Sequence, residues 1–209
     1  MRDQKRQLKR CHVNLMPLIL KPQYWRKGET EDMILYHTSD VVISEPDIHY
    51  GRKNADFGQG FYMTPDMDFS YRWAWKDAVM NRYELDLSGL RVHTFERTID
   101  WFEYIFHNRR GKDMLDCDVV IGPIANDTIF DTLGIISSGF LSSEDALQLL
   151  QIGPEYTQVA IKSNAAAERL RWLGAEHITG VHEYRKSLQK EKEEYEVLFA
   201  KTINEMTDE

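Results

Sequence analysis

The sequence predicts an α+β domain, and three observations carry that expectation. Short β-branched or aromatic runs recur between clusters of Gly, Pro, Asn and Asp, and segments with helical apolar spacing are interleaved among them. The 209 residues suffice for one dominant core with extensions rather than two equal domains. Residues 1–32 read as an N-terminal extension, 33–180 as the domain and 181–209 as a C-terminal amphipathic helix.

Taken in order, the apolar run Met33, Ile34, Leu35 and Tyr36 opens the domain as a first strand. Val41, Val42 and Ile43 are β-branched and suggest a second strand over 41–44, punctuated by Glu45, Pro46 and Asp47. Residues 51–60 form a loop by composition and lead into a short strand at 60–64. Pro65 and Asp66 then start a helix over 66–80, with Phe69, Trp73 and Ala74 facing inward. Strands follow at 81–87 and 92–95, a helix at 98–108 and a buried strand at Val119, Val120 and Ile121. Helices are expected at 127–133 and at 142–150, the latter capped by Ser142 with Asp145 three residues on; a strand at 158–162 and a helix at 165–173 close the domain at Gly174. The stripe Tyr184, Leu188, Tyr195, Leu198, Phe199, Ile203 and Met206, beside the charged run Glu191 to Glu194, defines the tail helix. That helix either packs on its own domain or binds a partner.

The formal charge of −8 argues against nucleic-acid or membrane binding driven by net charge, although a local basic patch could compensate. Cys11 and Cys117 lie far apart without CxxC spacing, so neither a disulfide framework nor a cysteine zinc site is expected, and a reducing cytoplasm fits. The basic run Arg2 to Arg10 precedes an apolar stretch at 13–20, but Asn14 and Pro17 interrupt it and no small-residue cleavage site follows. It reads as an extension, and no later window approaches a membrane span. The seven histidines show no HExxH or comparable spacing, so no metal is expected.

Two stretches carry chemistry. His37, Thr38 and Ser39 place an imidazole and exposed backbone groups where a strand opens into a loop, which suits sugar hydroxyls or a carboxamide; a structural hydrogen bond is the plainer alternative. Gly58, Gln59 and Gly60 relieve steric constraint before Phe61 and Tyr62, letting backbone approach a ligand while Tyr62 offers a flat face. The plainer alternative is a tight turn feeding a core strand. Trp73 supplies a second aromatic plane with Ser70 one helical turn away, together sufficient for a nicotinamide slot, unless both belong to the core. Arg52 and Lys53 could neutralise a pyrophosphate or be solvated.

The motifs LYHTS at 35–39, RKNADFGQGFYMT at 52–64, the aromatic stretch WFEYIFHNRR from Trp101 to Arg110 and VVIGPIAND at 119–127 resemble the bacterial DUF3990 family. The resemblance runs from about residue 34 to about residue 173. It implies an ADP-ribosyltransferase fold, two small antiparallel sheets gripping NAD, with motifs parallel to those of poly(ADP-ribose) polymerases and diphtheria toxin. By that resemblance His37 binds a ribose of NAD, Thr38 offers backbone bonds to the carboxamide, with Ser39 next to it also on the cofactor, Tyr62 stacks on nicotinamide beside Gly60 and Phe61, Ser70 holds the carboxamide and Trp73 stands at a second stacking position. Where the transferase triad has a glutamate, this chain has Gln158, which can accept a hydroxyl hydrogen bond but lacks the charge that opposes an oxocarbenium-like centre. Glu155 or Asp127, the latter beside Asn126, could supply a carboxylate; Asn126 and Asp127 could equally cap the following helix. The implied activity is NAD-dependent mono-ADP-ribosyl transfer to an unidentified acceptor, in a bacterial toxin or defence effector held by an antitoxin-like partner. A non-catalytic NAD or ADP-ribose module, or a related enzyme acting on nucleic acid, are the alternatives.

Overall fold

The computed structural model describes residues 32–75, 77–125 and 143–207. The N-terminal extension, the expected helix over 127–133, the Ser142 cap and the candidates Asn126 and Asp127 lie outside the described residues. Among them, the protein is a mixed α/β domain with two small sheets.

The first sheet has the order β1-β3-β7. β1 (Asp32–Ser39) runs antiparallel to β3 (Val79–Asp86) over its whole length, from Asp32 opposite Asp86 to Ser39 opposite Val79. β3 also pairs antiparallel with β7 (Leu170–His177), across an irregularity between Arg82 and Tyr83. The second sheet has the order β2-β6-β5-β4, from β2 (Phe61–Met63), β6 (Thr157–Ile161), β5 (Val119–Pro123) and β4 (Val92–Thr94). It is not wholly antiparallel as expected: β4 and β5 are parallel. Helix α2 (Ile99–Asn108) lies between them in sequence and provides the crossover that a parallel pair requires.

Alternation along β5 and β6 explains their unbroken apolar runs. Val119, Ile121, Val159 and Ile161 join Leu35, Phe61, Met63, Tyr83 and Leu85 in one core cluster. Val120 and Ala160 belong to a second cluster, with Phe57, Trp101, Phe102, Tyr104 and Ile105. The second sheet is therefore buried on both faces, by the first sheet and by α2. Each such aliphatic side chain contributes about 1.5–3 kcal/mol of burial.

One expected element is absent and two are much shorter than expected. Residues 41–44 are loop; Val41 and Val42 are exposed, and the Asn81 amide occupies their backbone, accepting from Ile43 N at 2.8 Å and donating to Val41 O at 3.1 Å. The helix expected over 66–80 shrinks to α1 (Met67–Ser70), capped by the Asp66 carboxylate, and a 3-10 helix at Tyr71–Trp73. Ala74 then turns extended, Asp77 takes a positive φ of 66°, and the chain enters β3. The helix expected over 165–173 is only α4 (Asn164–Ala167), capped by Ser163, after which Leu170 starts β7 and Gly174 sits inside that strand at φ 139°.

Two helices remain, α3 (Ser143–Leu150) and α5 (Val181–Thr207). Of the two options for the tail helix, packing on its own domain is the one observed: α5 meets α3 and the 3-10 helix.

Candidate functional site

The two motif halves meet where the sheets separate. Tyr36 and Thr64 form an isolated bridge, Tyr36 N donating to Thr64 O at 2.8 Å and Thr64 N to Tyr36 O at 3.0 Å. One residue on, His37 Nδ1 lies 2.7 Å from the Tyr62 carbonyl oxygen. A carbonyl can only accept, so Nδ1 carries the proton and Nε2 of the neutral ring is an acceptor. Burial holds the His37 pKa below its ordinary value, outweighing the bond to Tyr62, which acts to raise it. A neutral imidazole with a defined tautomer suits a sugar hydroxyl. The His37 ring also tilts against Phe61 at 4.4 Å.

Tyr62 is braced by the loop before it. Its hydroxyl accepts from Phe57 N at 2.9 Å and donates to Gly58 O at 2.7 Å, and burial raises its pKa. The phenol is therefore a fixed neutral ring rather than an acid or base. The glycines permit close backbone approach: a Cβ on Gly60 would sit 2.6 Å from Ile161 O of β6, and one on Gly51 would sit 2.3 Å from Gly60 O. Phe61 likewise turns into the core, edge-on to Tyr83 at 5.7 Å, so only its backbone can face a ligand. Tyr62→Phe keeps the ring but strands Phe57 N and Gly58 O; a loss of about 1–3 kcal/mol in urea unfolding is expected, while any stacking on Tyr62 persists.

Thr38 and Ser70 are brought together, Thr38 Oγ1 donating to Ser70 O at 2.8 Å. The Ser70 hydroxyl, however, is sealed at 0 % exposure and donates to Met67 O at 2.7 Å, with Met80 Sδ at 3.0 Å, so its proton is not offered to a carboxamide. Ser39 closes a local turn by donating to Val41 O at 2.6 Å. Trp73 is 39 % exposed, its edge against Phe69 at 4.9 Å. Arg52 and Lys53 are exposed on the loop, and the Arg52 charge is felt at the Tyr62 phenol.

Gln158 lies in a buried network centred on Asp56. Asp56 Oδ1 accepts from Arg109 Nε at 2.8 Å and Nη2 at 2.6 Å; Oδ2 accepts from Ala125 N at 3.2 Å and Gln158 Nε2 at 3.1 Å. The Asp56 carbonyl accepts from Asn108 Nδ2 at 3.1 Å, and Gln158 Nε2 also faces Pro123 O at 3.3 Å. Both partners of that amide are acceptors, which fixes its nitrogen toward them. Asp56, Asn108 and Arg109, together with Ala125, thus join three of the sequence motifs, a role that reading the sequence missed. The available signal was an acid in one motif and an arginine in another.

Glu155, a candidate acid, is exposed and pairs loosely with Arg97, Nε to Oε2 at 3.8 Å, while Arg97 Nη2 donates to Pro154 O at 2.8 Å. Among the described residues no group of three His, Cys, Asp or Glu is placed to hold a metal, and no helix is long and apolar enough to cross a membrane. A family model described as a protein of unknown function, DUF3990, matches residues 33–172, from the second residue of β1 into β7. No curated protein and no solved structure matches the chain.

Proposed function

The chain belongs to the DUF3990 family, and from that premise we propose that it is an NAD-dependent mono-ADP-ribosyltransferase of ADP-ribosyltransferase fold. The observation that carries the reading is the His37 Nδ1 contact with the Tyr62 carbonyl at 2.7 Å, which fixes a hydroxyl acceptor on β1 against the backbone of the residue on β2 whose ring the preceding loop braces. In this reading Tyr62 and the exposed Trp73 flank nicotinamide, His37 Nε2 accepts a ribose hydroxyl, the backbone of Thr38 and Ser39 meets the carboxamide, and Ser70 positions Thr38 rather than touching ligand. Arg52 stands by the pyrophosphate. A nucleophile of the acceptor attacks the nicotinamide-ribose carbon; the glycosidic bond breaks, its electron pair leaves with neutral nicotinamide, and the acceptor's proton passes to solvent. A toxin or defence effector, restrained by an antitoxin-like protein in a bacterial cytoplasm, is the setting this reading suggests.

One observation favours a second reading, a non-catalytic NAD or ADP-ribose module: the Gln158 amide is directed to Asp56 and Pro123 O, and the exposed Glu155 is paired with Arg97. Incubation with NAD labelled in its adenylate part and with cell lysate separates the two. Label transfer and nicotinamide release that fall about 100-fold in His37→Ala support the enzyme. Saturable binding without turnover supports the module, and absence of NAD binding sinks both.

A further inference from the structure

The segment from Tyr71 to Trp75 joins α1 to β3 and carries Trp73, the residue that the nicotinamide reading takes as the second stacking aromatic. Its inner side is tied to β1 through Thr38 and the Ser70 carbonyl at 2.8 Å. Its outer side is gripped by α5 at three points. Tyr71 stacks on Tyr184, centroids 4.5 Å apart and planes 7° from parallel. Arg72 pairs with Glu191, Nη2 lying 2.5 Å from Oε1, bonds the Tyr156 hydroxyl and lies 4.2 Å over the Tyr156 ring. The Arg185 guanidinium sits 3.9 Å over Trp75. Positions 184 and 191, seven residues apart, fall on one helix face, with 185 adjoining.

Local structure is a weak hold on this segment. A four-residue helix, a three-residue 3-10 helix and a positive φ at Asp77 have no independent stability. The family match ends at residue 172, before α5 begins at Val181, so the segment's outer support comes from beyond the family-defining span. Of the five residues, α5 takes 71, 72 and 75, while Trp73 packs edge-on against Phe69 and keeps 39 % of its surface exposed. A lid would cover that ring; a support would leave it free.

We propose that α5 is a positioning strap: its docking on Tyr71, Arg72 and Trp75 holds Trp73 at the slot, so that helix docking and dinucleotide binding are reciprocally coupled. This rests on the nicotinamide reading of the slot. Anything that lifts α5 lowers affinity for NAD, and NAD tightens α5.

The test uses the full chain, with NAD titrated calorimetrically and amide exchange followed by mass spectrometry. Tyr184→Ala/Glu191→Ala is expected to weaken NAD binding about tenfold and to speed exchange at 71–75 while β5 and β6 stay protected; in the wild type, NAD slows exchange over 181–195. Lys201→Ala, whose side chain pairs with Glu205 at 3.7 Å on the same helix, leaves both unchanged. If the double variant does not fold, Glu191→Gln, which removes charge and keeps shape, decides by the same readouts with an effect of a few-fold. Wild-type and variant chains that bind NAD equally, with unchanged exchange at 71–75, overturn the strap alone. A wild-type chain that binds no NAD overturns the dinucleotide reading, and the coupling with it.

Discussion

Asp56→Ala is expected to cost about 3–5 kcal/mol, because it removes the buried carboxylate on which the Arg109 guanidinium, Ala125 N and Gln158 Nε2 converge. Arg109 loses the carboxylate that receives its Nε and Nη2, Ala125 N loses its acceptor and Gln158 keeps only the Pro123 carbonyl. Both side chains of the pair are almost fully buried, so solvent screens little of the loss. Against a stability of about 5–15 kcal/mol for a domain of ordinary size, this is the difference between a folded and a partly unfolded population. Urea unfolding should show a lower midpoint with an unchanged slope. Asp56→Asn should cost less, since an amide oxygen still accepts from Arg109. Arg109→Met should cost about as much as Asp56→Ala, and the double variant less than the sum, as expected of residues sharing one network. A loss below about 1 kcal/mol in Asp56→Ala would mean that the pair behaves like a solvent-exposed ion pair and that the motifs do not converge on it energetically.

That network was largely invisible in the sequence. An aspartate in a loop with Asn54, Gly58 and Gly60 has the composition of a solvated turn, and its arginine partner lies 53 residues away on another element. Only the fold brings them together. By contrast, the juxtaposition of His37 with Tyr62 was legible, because both are strand-borne and the intervening segment carries glycine at 51, 58 and 60. The strands at 119–123 and 157–161 were legible too, as β-branched runs buried on both faces.

The misread elements share a physical cause, tertiary pairing overriding local propensity. Ala165, Ala166, Ala167, Glu168, Arg169 and Leu170 favour helix, yet β3 offers an unpaired edge, and the chain leaves the helix after one turn to fill it as β7. The β-branched residues at 41–43 favour strand, yet the Asn81 side chain takes the backbone groups that a neighbouring strand would use. Helical spacing of Phe69 and Trp73 suggested one long inward face; after α1 the chain tightens to a 3-10 turn, and Trp73 emerges toward solvent.

Gln158→Glu, the change that restores a transferase-like carboxylate, is expected to destabilise the protein by about 3 kcal/mol at neutral pH and to leave NAD turnover no higher. The glutamine is a donor by necessity: its nitrogen faces Asp56 Oδ2 at 3.1 Å and Pro123 O at 3.3 Å, and a carboxylate at that position would set oxygen against both. It could remain only by taking up a proton, which raises its folded-state pKa above the unfolded value of about 4.3. An acid with a raised folded pKa costs stability as pH climbs from the unfolded toward the folded value, so the deficit relative to wild type should be largest near neutrality and shrink as pH falls toward about 4.3. Thermal melts of both proteins across that range measure the sign directly. Asp56→Asn added to Gln158→Glu moves the single negative charge across the contact instead of doubling it, and should recover at least about 1 kcal/mol of the loss. A Gln158→Glu protein as stable as wild type at neutral pH, and faster in releasing nicotinamide, would place position 158 against the ligand rather than against Asp56, and the glutamine would then be the sole obstacle to a charged transferase triad.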